Sequence, residues 1–168
     1  MRKYAAIIFC SLFLLSCNGD PPIVGAPQMK GKNIDENMIN ANKTIAQAEE
    51  TAIDEYVGRR GWKMEKLSEG ARLWEYDKGK GPKVQYEDSV SIHYDIEAIN
   101  GTKIYSNIAE KYVAGRRQQM IGLDQAVLRL SHGSKAKVIL PSSLAYGIGG
   151  DGNRIPQSTI LVIDVTIE

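Results

Sequence analysis

Hydrophobic and polar positions along the chain change period twice. Tyr4 to Leu15 is an apolar run without a charged residue, preceded by Arg2 and Lys3. It is shorter than the roughly 20 residues a membrane-spanning helix needs and fits the apolar core of a signal peptide. From Asp35 to about Val57 the pattern becomes helical. Ile34, Met38, Ile45, Ala48, Ala52, Ile53 and Tyr56 recur at three- and four-residue spacing, with Glu49, Glu50, Asp54 and Glu55 on the polar side. Asp35 is placed to cap this helix and Gly58 to stop it. Its apolar face fits packing on the chain's own domain or pairing with a partner.

Beyond Gly58 the period shortens to two. Trp62–Lys66 and Arg72–Asp77 are short alternating runs, separated from the next by the turn Gly79-Lys80-Gly81-Pro82. Val90, Ile92, Tyr94, Ile96 and Ala98 alternate through Ser89–Ala98. Asn100-Gly101 is a hairpin signal, because both residues tolerate positive φ, and Lys103–Tyr105 returns from it. Leu123–Leu130 is a short helical pattern. Ser134–Leu140 and Ile160–Ile167 are strands, the last apolar enough to be central, and Gly147–Arg154 is a glycine-rich loop between them. One short helix among several antiparallel strands predicts an α+β fold, a twisted antiparallel sheet wrapped around that helix and preceded by the N-terminal helix.

Composition narrows the function. The 168 residues carry 21 Lys and Arg against 20 Asp and Glu, so no global charge points to nucleic acid. Lys78, Lys80 and Lys83, Arg59-Arg60 and Arg116-Arg117 read as solvated turns. Asn18–Lys32 holds Gly19, Pro21, Pro22, Gly25, Pro27 and Gly31 and reads as a flexible tether. The expected organisation is a signal segment over 1–16, a tether over 17–33, a helix over 34–60 and one domain over 61–168. That domain is expected to fold without residues 1–57. His93 and His132 have no partners at metal-ligand spacing, and no metal or cofactor is expected. Gly147-Ile148-Gly149-Gly150-Asp151-Gly152 lacks the Lys and Ser or Thr of a phosphate loop.

Two resemblances add to this reading. Leu14-Leu15-Ser16-Cys17, closing the apolar run, resembles the lipobox of bacterial lipoproteins. That resemblance implies that Cys17 is acylated and becomes the new N-terminus; Cys10 would be discarded with the signal segment. The second covers about half the chain, from Gly79 to the C-terminus. It rests on Val90-Ser91-Ile92-His93-Tyr94, Asn100 through Ser106, Gly115 through Gly122, Leu140-Pro141-Ser142-Ser143-Leu144-Ala145-Tyr146-Gly147, Ile155-Pro156 and Leu161 through Val165. In this order and spacing they resemble an FKBP-type peptidyl-prolyl isomerase domain. Ile104-Tyr105-Ser106 with Met120-Ile121-Gly122-Leu123 is similar to a lipoprotein subgroup related to the gliding-motility-associated isomerases of Bacteroidota.

The chemistry so implied is rotation about X-Pro bonds, against an uncatalysed barrier of about 18–20 kcal/mol. It needs no covalent step, only a pocket that holds the prolyl ring and stabilises the twisted amide. The resemblance places Tyr94 at the pocket wall and gives Tyr146 a hydroxyl for a substrate carbonyl; these are the expected catalytic residues. Ile104, Tyr105, Gln119, Met120, Leu123, Ile155 and Ile163 are the expected substrate-binding residues. Four depart from the family pattern. Ile104 and Ile163 replace aromatic rings, Leu123 replaces a Trp at the pocket floor, and Tyr105 replaces an Asp. A polar contact is expected to be lost, and Tyr105→Asp with Leu123→Trp to restore activity.

The functional expectation is a membrane-anchored isomerase of the bacterial cell envelope, at the outer rather than the inner membrane. It would act on X-Pro-containing segments of exported proteins. The alternative is an FKBP-fold chaperone or scaffold with little or no isomerase activity.

Overall fold

The computed structural model describes residues 31–116 and 120–168. The signal segment, Cys17, most of the tether and Gln119 lie outside the described residues. Contacts divide the chain after Glu36, and the sheet lies in the compact unit Asn37–Glu168.

Six strands form one antiparallel sheet. They are β1 (Glu65–Lys66), β2 (Arg72–Asp77), β3 (Ser89–Ala98), β4 (Lys103–Val113), β5 (Lys135–Leu140) and β6 (Leu161–Ile167). Their order across the sheet is β1-β2-β5-β6-β3-β4. Two α-helices accompany them, α1 (Gly31–Arg60) and α2 (Ile121–Val127). The sheet and its short helix are as the sequence predicts.

Alternation assigns the faces. Val90, Ile92, Tyr94 and Ile96 of β3 are buried, as are Leu161, Ile163, Val165 and Ile167 of β6, and they share one core with Leu123, Ala126 and Val127 of α2. His93, one residue out of phase with Tyr94, points away from this core and pairs with Glu168, Nε2 to Oε1 at 2.7 Å. Gly122 lets α2 approach so closely: a Cβ there would lie 2.4 Å from Leu140 Cδ2 and 3.0 Å from Leu144 Cβ.

The opposite face has its own core. Ile139, Ile160 and Val162 are covered by Ile53 and Tyr56 of α1, with Ala52, Val57, Trp62 and Met64 around them. Of the two readings of the helix face this favours packing, and it corrects the placing of Glu49. The second half of α1 packs on the domain, whereas Met38, Ile39 and Ile45 of its first half are exposed. Glu49, read as a polar-face residue, is buried. Its Oε2 accepts the Ser142 N–H at 3.0 Å and its Oε1 accepts the Ser142 hydroxyl at 2.6 Å. Beside it, the guanidinium of buried Arg72 reaches Asp54 Oδ1 at 2.6 Å and the Gly70 carbonyl at 2.6 Å.

Boundaries differ at several points, each for a local reason. Helix α1 begins at Gly31, within the expected tether, and runs through Gly58. Gly61 ends it by taking φ +64°. Its N–H bonds to the Gly58 carbonyl and the Trp62 N–H to the Val57 carbonyl, the paired closure of a left-handed helix end. The expected strand Trp62–Lys66 shrinks to two residues because Trp62 is used as a wedge, with ring centroids 5.8 Å from Tyr56 and 5.6 Å from Trp74. The hairpin forms at Asn100-Gly101, with only Gly101 of the pair at positive φ. Strand β4 continues to Val113 rather than stopping at Tyr105. Asn107, at φ +54°, donates its N–H to Asp95 Oδ1 at 2.6 Å, and the extra residues bulge out of the ladder so that pairing resumes. The short helix starts two residues earlier than predicted and gives way to a turn after Val127.

The burial of Ile53 and Tyr56 argues against a domain that folds without residues 1–57. Deleting them exposes Ile139, Ile160 and Val162 and removes the carboxylate partners of Arg72 and Ser142. We expect the truncated chain to unfold at a lower urea concentration than the full chain. Glu49→Ala alone should cost about 1–3 kcal/mol, because a buried N–H and hydroxyl lose their acceptor. An unchanged unfolding midpoint in both would show that α1 is dispensable.

Candidate active site

The residues singled out from sequence come from five places in the chain and meet in one cluster. Tyr94 is on β3, Ile104 opens β4, Met120 precedes α2 and Leu123 lies within it, Ile155 lies in the loop before β6, and Ile163 is on β6. All six are buried in the same core, with Tyr105 packed against it. Alternation puts Tyr94 and Ile163 on the α2 side of the sheet, and the register places Ile163 opposite Ile96, two residues from Tyr94. Leu123 and Ile163 are fully buried. They form the foundation under the site rather than a surface a ligand touches in this conformation. Tyr146 is the exception, 37 % exposed at the rim.

Tyr146 is positioned by its backbone. Ser142–Leu144 is a single 3-10 turn, closed by the Leu144 N–H to the Pro141 carbonyl and the Ala145 N–H to the Ser142 carbonyl, each 3.0 Å. Buried Leu144 anchors the turn against α2, and Glu49 of α1 holds its first residue. Tyr146 follows directly, and Gly147 after it takes φ +62° to leave the turn.

The phenols of the site behave differently from one another. Tyr94 donates to Glu110 Oε2 at 3.0 Å. Burial, reinforced by that carboxylate, pushes its pKa far above the usual tyrosine range. Tyr105 donates to Asp151 Oδ2 at 2.5 Å, and this bond to an anion raises its pKa. Tyr112, buried on β4, has a hydroxyl with no partner among the described residues, and burial raises its pKa too. Tyr146 has no hydrogen-bond partner among the described residues either. Partial burial raises its pKa, and the nearby charge of Asp151 adds to the shift. Its hydroxyl therefore stays protonated at neutral pH, half-exposed and uncommitted.

Sequence reading missed Asp151, Glu110 and Tyr112. Asp151 organises the glycine-rich loop. Its Oδ1 accepts the N–H of Asn153 at 2.9 Å and of Ile155 at 2.8 Å, while Oδ2 takes the Tyr105 hydroxyl. Gly150, at φ +66°, lets the loop close, since a Cβ there would lie 2.3 Å from the Ile155 carbonyl oxygen. Glu110 and Tyr112 were hidden by ending β4 at Tyr105. Extended through the bulge, Ile108, Glu110 and Tyr112 alternate onto Tyr94's side of the sheet.

The geometry adds a fact about Tyr105: the phenol at 105 pairs with the carboxylate at 151. Tyr105→Asp would set two carboxylates against each other, and like charges at such range are unfavourable.

Two outcomes follow. Tyr105→Asp should bind proline peptides more weakly than wild type and release the loop, read as faster amide exchange at Ile155; unchanged exchange would show that Asp151 does not hold the loop. The pH dependence has a definite sign. The Tyr105 hydroxyl, then the loop N–H groups, hold the Asp151 pKa below the usual 3.8. The bond's contribution is therefore complete above that ordinary value and lost as pH falls through the lowered one. Protection of Ile155 should stay constant through the neutral range and decline only in acid.

Comparison with known proteins agrees with the geometry. The family model for the FKBP-type peptidyl-prolyl cis-trans isomerase matches residues 81–168. FK506-binding protein 2 of Dictyostelium discoideum is 36% identical over 89 residues, covering 51% of this chain and 67% of that protein. The FKBP-type peptidyl-prolyl cis-trans isomerase FkpA of Aeromonas hydrophila is 33% identical over 134 residues, 74% of this chain. The chain spans half the length of that relative. Among solved structures, a peptidyl-prolyl cis-trans isomerase from Pseudomonas syringae pv. tomato superposes with a TM-score of 0.62 at 24% identity, covering 74% of this chain and 92% of that one. FkpA from Escherichia coli gives 0.61 at 22%, covering 82% and 65%. These two establish a shared fold, and the family match over more than half the residues settles kinship: the chain belongs to the FKBP-type peptidyl-prolyl cis-trans isomerase family.

Proposed function

We propose that this protein catalyses cis-trans isomerisation of X-Pro bonds in exported polypeptides, at a site formed by Tyr94, Ile104, Met120, Ile155 and Tyr146. One observation carries the reading. The Tyr146 hydroxyl is a protonated donor, without a partner among the described residues, at the rim of an apolar cluster. An X-Pro amide loses resonance as it twists, so its carbonyl becomes a more ketone-like acceptor, and an apolar wall accepts the ring without competing for that carbonyl. Tyr94 plays a different part. Its hydroxyl is bound to Glu110, so it presents its ring as a wall. No proton need be transferred and no covalent intermediate formed.

A second reading, an FKBP-fold chaperone or scaffold with little isomerase activity, draws support from Leu123. An aliphatic side chain with no exposed surface offers the prolyl ring no flat face. The two readings differ in whether a bound proline peptide is also accelerated.

We further propose that the protein is held at the cell envelope, at the outer membrane, by acylation of Cys17, as a member of the lipoprotein subgroup similar to the gliding-motility-associated isomerases. Leu14-Leu15-Ser16-Cys17 after an uncharged apolar run supports this. Among the described residues no helix is long and apolar enough to cross a membrane. Two or three acyl chains anchor far more firmly than one, at about 0.8 kcal/mol per buried methylene.

Tyr146→Phe should slow isomerisation of a proline tetrapeptide about fivefold to tenfold, the loss of roughly 1–1.4 kcal/mol of hydrogen bonding in the transition state. Because burial raises the Tyr146 pKa, the wild-type rate should be flat through neutral pH and fall only in strong alkali, where the donor is lost. Binding of proline peptides without acceleration, insensitive to Tyr146→Phe, would favour the scaffold. Metabolic palmitate labelling should mark wild type and not Cys17→Ala; equal labelling would remove the anchor from the proposal.

A further inference from the structure

Of the six arginines among the described residues, four pair with carboxylates: Arg59 with Glu55, Arg72 with Asp54, Arg116 with Glu87 and Arg129 with Glu65. Arg60 lies over the Tyr56 ring at 3.7 Å. Arg154 is left without an acid and is nonetheless held in place. Its Nη1 donates to the Ile104 carbonyl at 3.1 Å, and its guanidinium carbon sits 5.6 Å from the centre of the Tyr105 ring. It borders a hollow of about 310 Å³ whose other walls are Thr102, Lys103 and Ile104. Lys103 also has no carboxylate partner among the described residues. Glu97 is its neighbour across the β3–β4 ladder, with no ion pair between them. The nearest loop acid, Asp151, is occupied by Tyr105 and by the N–H groups of Asn153 and Ile155.

The placement of these two cations matters more than their number. Lys103 immediately precedes Ile104 in the chain, and Arg154 immediately precedes Ile155. Both isoleucines belong to the candidate prolyl site. Ile104 joins the two regions: it is buried in the core of the candidate site and also borders the hollow with Lys103 and Arg154. A guanidinium fixed by a carbonyl and an aromatic face keeps its remaining N–H edge oriented without further loss of side-chain freedom, and that edge matches a carboxylate.

We propose that the hollow between Lys103 and Arg154 is a subsite for an acidic side chain flanking the proline, so that the protein prefers X-Pro segments with Asp or Glu beside the proline. This rests on the isomerase-site reading and sharpens its substrate class. Arg154 supplies the oriented contact and Lys103 the second charge.

The test uses the purified full chain and three proline tetrapeptide sets carrying Glu, Gln or Lys on either side of the proline. Affinity is read from shifts of the Ile104 and Ile155 amides, and isomerisation from exchange between cis and trans peptide signals. At low ionic strength the Glu peptide should bind about threefold to tenfold more tightly than the Lys peptide from at least one side, as expected for a partly exposed ion pair. Added salt should narrow the difference. Lys103→Glu should reduce or reverse the preference, read as the ratio of Glu-peptide to Lys-peptide affinity. Arg154→Lys should retain part of the preference and Arg154→Gln should lose most of it. Equal binding of Glu and Lys peptides, with the Gln peptide bound and isomerised, would overturn the subsite and leave the isomerase reading intact. Failure to bind or isomerise any of the three would overturn both.

Discussion

The first half of strand β6 cannot face water on either side, and the architecture follows from that constraint. Leu161, Ile163, Val165 and Ile167 point to the face covered by α2, while Val162 and the adjoining Ile160 point to the other. A strand buried on both faces reads as a nearly continuous apolar run, and a sheet containing one needs a second cover. In this chain the second cover is the C-terminal half of α1, which the family match over residues 81–168 does not include. Further along β6 the demand is polar: Asp164 takes the Lys137 ammonium at 2.5 Å and the Tyr76 hydroxyl at 2.7 Å. Burial and that carboxylate push the Tyr76 pKa up to about 12. Trp62, Trp74 and Tyr76 lie in sequence beside this pair, each ring under 6 Å from the next. The exposed flank of β6 is thus sheltered by helix, aromatic rings and an ion pair in turn.

The same cover reaches the active site. Glu49 lies one helical turn before Ile53, so the helix that buries Ile139 and Val162 also brings a carboxylate to Ser142. Ser142 starts the turn that ends at Tyr146. The chain therefore couples a helix outside the matched segment to the rim phenol through two hydrogen bonds and one 3-10 turn. Leu144, wedged against α2 in the middle of that turn, fixes it from the opposite side. Tyr146 is held by both layers, although its own side chain bonds to neither.

Alternation carried the sheet. Val90 through Ile96 and the hairpin at Asn100-Gly101 were legible because period and turn chemistry agree there. The apolar run at Ile160–Ile167 announced a central strand. The far side of that strand was not legible, since a run of apolar residues does not name what covers it. Helix α1 illustrates the loss: its three- and four-residue spacing is continuous, yet the apolar residues it lends to the second core are confined to Ala52, Ile53, Tyr56 and Val57, and buried Glu49 follows a partner 93 positions away. Strand β4 was cut short because Ser106-Asn107 breaks alternation. A bulge keeps the pairing while breaking the pattern, so local polarity was mistaken for an end. The site residues emerged from resemblance, and the structure gathers those it describes into one cluster.

Position-by-position comparison describes Tyr105 as the loss of an acid. In space a carboxylate and a phenol meet beside the pocket, the acid on the loop at Asp151 and the phenol at Tyr105 on β4. A second phenol–carboxylate pair, Tyr94 with Glu110, lies on neighbouring strands of the same wall. Each pair satisfies its own phenol, and each carboxylate also contributes to the field at Tyr146. Burial raises the Tyr146 pKa first and the negative field of these acids adds to it, so the rim phenol stays a donor well beyond the neutral range. The Tyr105–Asp151 bond also ties the loop, and with it Ile155 and Arg154, to the strand that carries Ile104.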